Sequence, residues 1–122
     1  MGLTRDVALN ELPIRGLDVN SDTAAYTLVT SDSGIINFND YGTDTTYTLP
    51  AVADCAGKLF WFVNGEATTK TIIASAAANI KGPQAAVCTT LTSKAIGDHC
   101  IITSDGTNFF VVSMGFAVWT LA

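Results

Sequence analysis

The run Lys58-Leu59-Phe60-Trp61-Phe62-Val63 limits the fold more than any other stretch of the chain. Aromatic and β-branched residues in series favour a strand. Neighbouring side chains on a strand point to opposite faces. Phe60 and Phe62 therefore share one face, and Leu59, Trp61 and Val63 share the other. Both faces are apolar. Burying a large apolar side chain stabilises by roughly 1.5–3 kcal/mol, and a contiguous patch left in water is sticky. The run needs cover on both sides, from loops, from an arm, or from another subunit. Phe109-Phe110-Val111-Val112 and Phe116-Ala117-Val118-Trp119 show the same two-sided pattern. Three such strands exceed what one small core needs, which predicts a homo-oligomer.

The rest of the chain reads as short strands between turns. Tyr26–Thr30, Ile35–Phe38, Thr46–Leu49, Leu59–Val63, Thr69–Ala74, Cys88–Leu91, Asp98–Thr103, Asn108–Ser113 and Phe116–Leu121 are the expected strands. Gly, Asp, Asn and Ser clusters separate them. Asp32-Ser33-Gly34 and Asp105-Gly106 are read as hairpin turns, and Asn64-Gly65 as a strong turn dipeptide. Ser75–Asn79 is small and Ala-rich, a loop or a short helical turn. No helical period persists and no exact internal repeat is visible. The expectation is an all-β fold, a small antiparallel β-sandwich or barrel of about eight strands. Residues 1–23 are read as an extended N-terminal arm and 24–122 as the β domain. The arm carries Leu3, Val7, Leu9, Leu12, Ile14 and Leu17 among charged residues. It is too apolar for a solvated tail and is expected to order on a partner.

Charge narrows the partners. Only 14% of residues are charged, against about 25% in ordinary globular chains. The net charge is −5 and the six basic residues are scattered, so nucleic acid phosphates are not an expected partner. The start, MGLTRDVALN, has no apolar core of signal-peptide length. No run is long enough for a membrane span. The apolar excess points to protein partners.

Little in the sequence suggests catalysis. The one histidine, His99, adjoins Cys100, and on a strand the two point apart. Cys55, Cys88 and Cys100 lack C-x-x-C spacing and read as reduced, packed thiols. Asp18-Val19-Asn20-Ser21-Asp22 begins like a calcium loop but has Thr23 where glycine is required and Val29 where the closing Glu should stand. Asn39-Asp40 with Asp44 could hold a cation, though Asx residues in turns usually bond to the backbone. None of the nucleophile-elbow, zinc-protease, dinucleotide-binding or Walker patterns occurs. The expectation is a non-enzyme with no cofactor, metal or catalytic residue.

Four motifs occur in order: Thr27-Leu28-Val29-Thr30-Ser31-Asp32-Ser33-Gly34, then Tyr47-Thr48-Leu49-Pro50-Ala51, Ala56-Gly57-Lys58-Leu59-Phe60-Trp61-Phe62, and Ile102 to Ser113 around Ser104-Asp105-Gly106-Thr107-Asn108-Phe109. Their order and spacing resemble a β-rich module of tailed-bacteriophage structural proteins, found in head decoration proteins, head fibres and tail fibres. Phe109 stands where that module usually has Trp. The resemblance covers residues 27–113 and implies a virion protein, assembled in the host cytoplasm. Its first reading is a capsid decoration (cement) protein, a homotrimer bound to the major capsid protein on the outer surface of the shell. The alternative is a head or tail fibre module or receptor-binding tip, for which a host-surface glycan is the further partner. The residues expected at interfaces are Leu3, Val7, Leu9, Leu12 and Ile14 in the arm, and Phe60, Trp61, Phe62, Phe109, Phe116 and Trp119 in the β domain.

Overall fold

A computed structural model describes residues 15–74, 79–82, 87–115 and 119–122. The described chain is all-β apart from two single-turn 3-10 segments, Thr30–Asp32 and Val52–Asp54. In chain order the strands are β1 Gly16–Asn20, β2 Ala25–Thr27, β3 Ile35–Asn39, β4 Thr45–Thr48, β5 Leu59–Asn64 and β6 Lys70–Ile73. They continue with β7 Ile80–Lys81, β8 Val87–Cys88, β9 Thr90–Ser93, β10 His99–Ser104, β11 Phe109–Gly115 and β12 Thr120–Leu121. A seven-stranded sheet has the order β1-β3-β5-β10-β11-β7-β8, and a five-stranded sheet the order β12-β9-β6-β4-β2.

The first six strands alternate between the two sheets. β1, β3 and β5 pair in parallel in one, and β2, β4 and β6 pair in parallel in the other. The chain therefore winds as a β-solenoid, crossing from sheet to sheet and back in each coil. This corrects the expected antiparallel sandwich or barrel. Asp32-Ser33-Gly34 and Asn64-Gly65 are corners that carry the chain between sheets, not hairpins, because the strands they join never pair. After β6 the winding stops. β9 adds antiparallel to β6 and β12 antiparallel to β9, while β10 adds antiparallel to β5 and β11 antiparallel to β10. The β10–β11 connection is the one expected hairpin, with Gly106 at φ 92 and Asp105 Oδ1 accepting from the Thr107 and Asn108 N–H groups at 2.9 Å each. β7 then pairs in parallel with β11, and β8 antiparallel with β7.

An asparagine ladder explains how one corner is built. Asn20, Asn39 and Asn64 end β1, β3 and β5 and lie in direct register. All three are buried. Each side-chain oxygen accepts from the backbone N–H two residues on, at Asp22, Tyr41 and Glu66. Each amide nitrogen then donates elsewhere: Asn20 to the Thr23 carbonyl, Asn39 to the Tyr47 hydroxyl, Asn64 to the Thr68 carbonyl and Ser93 hydroxyl. Asn forms local Asx turns readily and carries both a donor and an acceptor, so it satisfies a corner that would otherwise bury unpaired backbone groups. The ladder continues in the main chain, with Asp40 N–H on Asn20 O, Gly65 N–H on Asn39 O and Gly97 N–H on Asn64 O. A second corner device is Lys70, whose Nζ donates to the Tyr41 and Thr43 carbonyls at 2.7 and 2.9 Å.

The core fills the space between the sheets. Phe60, Phe62, Cys100, Ile102 and Phe109 come from the larger sheet, and Tyr47, Ile72 and Leu91 from the smaller. Tyr47 stacks obliquely on Tyr26 and on Phe62, with centroids 5.7 and 5.3 Å away. All three cysteines are free and buried. Within the segment expected as an arm, Gly16–Asn20 is a strand of the larger sheet, so Leu17 belongs to the sheet. Residues 1–14 lie outside the described residues.

Candidate interaction surface

Strand alternation settles which side of β5 is which. Phe60 and Phe62 point between the sheets, while Leu59, Trp61 and Val63 point outward and are half-buried. Register carries this outer face across four strands. One row is Leu17–Ile36–Trp61–Ile101 and the next is Val19–Phe38–Val63–His99. Seven of these eight residues are apolar, and none is a carboxylate or an ammonium. Leu17 is 61% exposed and Val19 51%, so the face opens toward β1. At the other side a bulge between Ile101 and Ile102 leaves Val112 without a cross-strand partner and 62% exposed. The Trp61 indole N–H is shut off from solvent and has no acceptor among the described residues.

The outer face of the five-stranded sheet is different. Its rows read Ala25–Thr46–Thr71–Thr92–Thr120 and Thr27–Thr48–Ile73–Thr90. Threonine hydroxyls are at home in water, so this face needs no cover. The two sheets differ most on their outer sides, and only one outer side is an apolar patch of the kind that marks an interaction surface.

The expected interface residues fall into three groups. Phe60, Phe62, Phe109 and Trp119 are core residues, each at most 3% exposed; they fill the space between the sheets and offer a partner no area. The Trp119 indole N–H donates inward to the His99 carbonyl at 3.0 Å. Trp61 stands on the outer face. Leu3, Val7, Leu9, Leu12, Ile14 and Phe116 lie outside the described residues. Ile36, Phe38 and Ile101 were not expected at the surface, although the β3 run Ile35-Ile36-Asn37-Phe38 carried a two-sided apolar signal like that of β5.

The polar candidates are engaged in structure. Asn20 is a ladder residue, and burial raises the pKa of the Tyr26 phenol, with Asp18 adding to the rise. Asp40 accepts from the Ser21 hydroxyl at 2.5 Å, and Asp44 from the Thr69 N–H at 2.9 Å. The buried Ser93 hydroxyl accepts from Asn64 and donates to the buried Asp98 carboxylate. His99 and Cys100 point to opposite faces as expected. The His99 ring packs over Gly115, where an added Cβ would come within 2.5 Å of it. Burial, helped by Asp98, pushes the Cys100 thiol far up. Among the described residues no three His, Cys, Asp or Glu side chains come together as a metal-holding group, and no helix is long and apolar enough to cross a membrane.

No known protein family matches the chain, and no curated protein sequence matches it.

Proposed function

We propose that the chain is a structural protein of a tailed-phage virion, a capsid decoration protein that binds the outer surface of the shell as a homotrimer. The observation that carries this reading is the apolar outer face that β1, β3, β5 and β10 of the seven-stranded sheet share, whose two rows carry no carboxylate or ammonium. A protein of net charge −5 meets copies of itself with least repulsion where it has no charge. A patch of this kind suits attachment, to sister copies and to the major capsid protein. The ordered motifs from residue 27 to 113 support the virion assignment. The fibre reading draws on a different feature. Among the described residues β1 and β2 are both edge strands at the same end of the winding, and such a coil end suits a module that continues a shaft.

Copy number separates the two. Quantitative mass spectrometry of virions that contain the chain should find hundreds of copies for a decoration protein; a handful would favour the fibre module. Attachment through the apolar face is tested by co-sedimentation with undecorated capsids. Leu17→Asp and Val19→Asp alter exposed side chains and should leave the fold intact while abolishing co-sedimentation. Undiminished binding by both would remove the apolar face from the attachment surface.

A further inference from the structure

We propose that His99 makes self-association through the apolar outer face pH-dependent: copies of the chain meet there near neutral pH, and protonation of the imidazole in mild acid parts them. This rests on the reading of that face as an attachment surface. It names a second copy as the occupant and His99 as the regulator.

The second copy follows from charge. The chain carries −5, yet the two rows that β1, β3, β5 and β10 share hold no carboxylate or ammonium. Like-charged copies repel least where that charge is absent. Exposed Leu17 and Val19, with half-buried Trp61 between β3 and β10, offer the apolar area for such a contact.

His99 is the one member of those rows that can gain a charge. It ends the row Val19–Phe38–Val63–His99 and is half-buried. Histidine is the side chain that changes charge between about pH 5 and 8. Two contacts hold the ring. Nδ1 lies 3.2 Å from the Gly97 carbonyl, and a carbonyl only accepts, so the proton of the neutral ring sits on Nδ1. Nε2 lies over Gly115, 2.6 Å from where a Cβ would stand. The second proton therefore goes to Nε2, and the groups around it do not balance the charge. In register with His99 stand Val63 on β5 and Gly115 on β11; two residues along stand Trp61 and Ser113. None of these is charged. In the turn before β10, the Asp98 carboxylate is turned to the inner side, where it accepts from the Ser93 hydroxyl, and Lys94 is itself a cation. Burying an unbalanced charge costs far more than burying the neutral ring, so the imidazolium opposes the contact.

The expected direction is opposite to that of the whole-molecule charge. Protonating His99 takes the net charge from −5 to −4, and acid brings the chain nearer its pI of about 4.4. Both changes lessen the general repulsion and would tighten association. Loosening in mild acid thus marks a charge at the contact itself.

Sedimentation equilibrium of the full chain at about pH 7.5 and about pH 5.5 tests this. The association constant should fall by about tenfold or more on acidification. His99→Gln and His99→Phe cannot titrate, and each should give one constant at both pH values; the second keeps the test open if the first misfolds. Trp119 is 2% exposed, so acrylamide quenching of tryptophan fluorescence reports Trp61, and it should rise as the copies part. A constant that is unchanged or larger in acid overturns the gate. So does a pH dependence that persists in both His99 variants. If Leu17→Asp abolishes association while the parent chain shows no pH dependence, the face stands and the gate alone is refuted. Association that survives both Leu17→Asp and Val19→Asp, or a chain that is monomeric at every pH, refutes the face as a self-contact and the proposal with it.

Discussion

At the scale of single residues, the most informative side chain is Asn39. It sits in the middle of the ladder, 1% exposed, accepting from Tyr41 N–H and donating to Tyr47 Oη, both at 3.0 Å. Asn39→Ala strands two polar groups that water does not easily reach. A buried group left unsatisfied costs about 1–3 kcal/mol, so the variant should lose about 2–3 kcal/mol in urea unfolding. Asn20→Ala, at the open end of the same ladder, should cost less; equal costs would mean that the ladder is not graded by burial. The cysteines give a second residue-scale expectation. Burial raises the pKa of Cys55, Cys88 and Cys100 alike. The folded chain then holds thiol protons that the unfolded chain releases near pH 8.5. That contribution is complete below the unfolded pKa and is lost as pH rises toward the folded one. For Cys100 alone the loss is about 1.4 kcal/mol per pH unit above that point. Urea midpoints between pH 8 and 9.5 should fall accordingly, and Cys100→Ala should flatten the slope. None of the three thiols should react with a disulfide reagent until the protein is unfolded.

At the scale of elements, the corners decide the fold. Asn64-Gly65 reads locally as a hairpin turn, yet here it is a corner over which the Phe38 ring of the previous coil is laid. A Cβ at Gly65 would come within 2.5 Å of the Phe38 Cζ and 3.0 Å of both Cε atoms. Gly65→Ala forces that ring to move, at about 1–3 kcal/mol, the usual cost of overpacking. Gly57 makes a contrast. Its φ is +75 and nothing lies within 4 Å of an added Cβ, so Gly57→Ala costs only the backbone strain of about 1 kcal/mol. Thermal melts of the pair, with Gly65→Ala on a Phe38→Leu background, separate the two causes: the smaller side chain should rescue Gly65→Ala and leave Gly57→Ala unchanged.

At the scale of the whole molecule, the winding makes β1 structural. A chain starting at Ser21 would lack β1 and Asn20, opening the edge of β3 and the top of the ladder. It should be markedly less stable than one starting at Arg15, and prone to associate through the bared edge. Circular dichroism and light scattering on the two shortened chains check this; equal stability would make β1 dispensable. With all cysteines free, melts with and without reductant should coincide. A loss on reduction of the 2–5 kcal/mol typical of a native bridge would contradict the free thiols.

Much of this was written along the chain. Residue alternation and turn chemistry are local, so the β character, most strand positions, the Asp105-Gly106 hairpin, and the division of β5 into two apolar faces follow from the sequence. Pairing is not local. An Asp-Ser-Gly or Asn-Gly step serves a hairpin or a solenoid corner equally well, and which one forms depends on whether the next strand finds its partner one step or one coil away. The coils are also unequal, since Gly16 pairs with Ile35 but Ile36 pairs with Trp61, so no fixed period betrays the winding. The same limit applies to the surface. The sequence determined that β5 is apolar on both sides; only the tertiary register decided that Phe60 and Phe62 face the core while Trp61 stands beside Ile36 and Ile101. Side-chain direction is set by the residue's own backbone, but a surface is made by neighbours that the chain brings together from far apart.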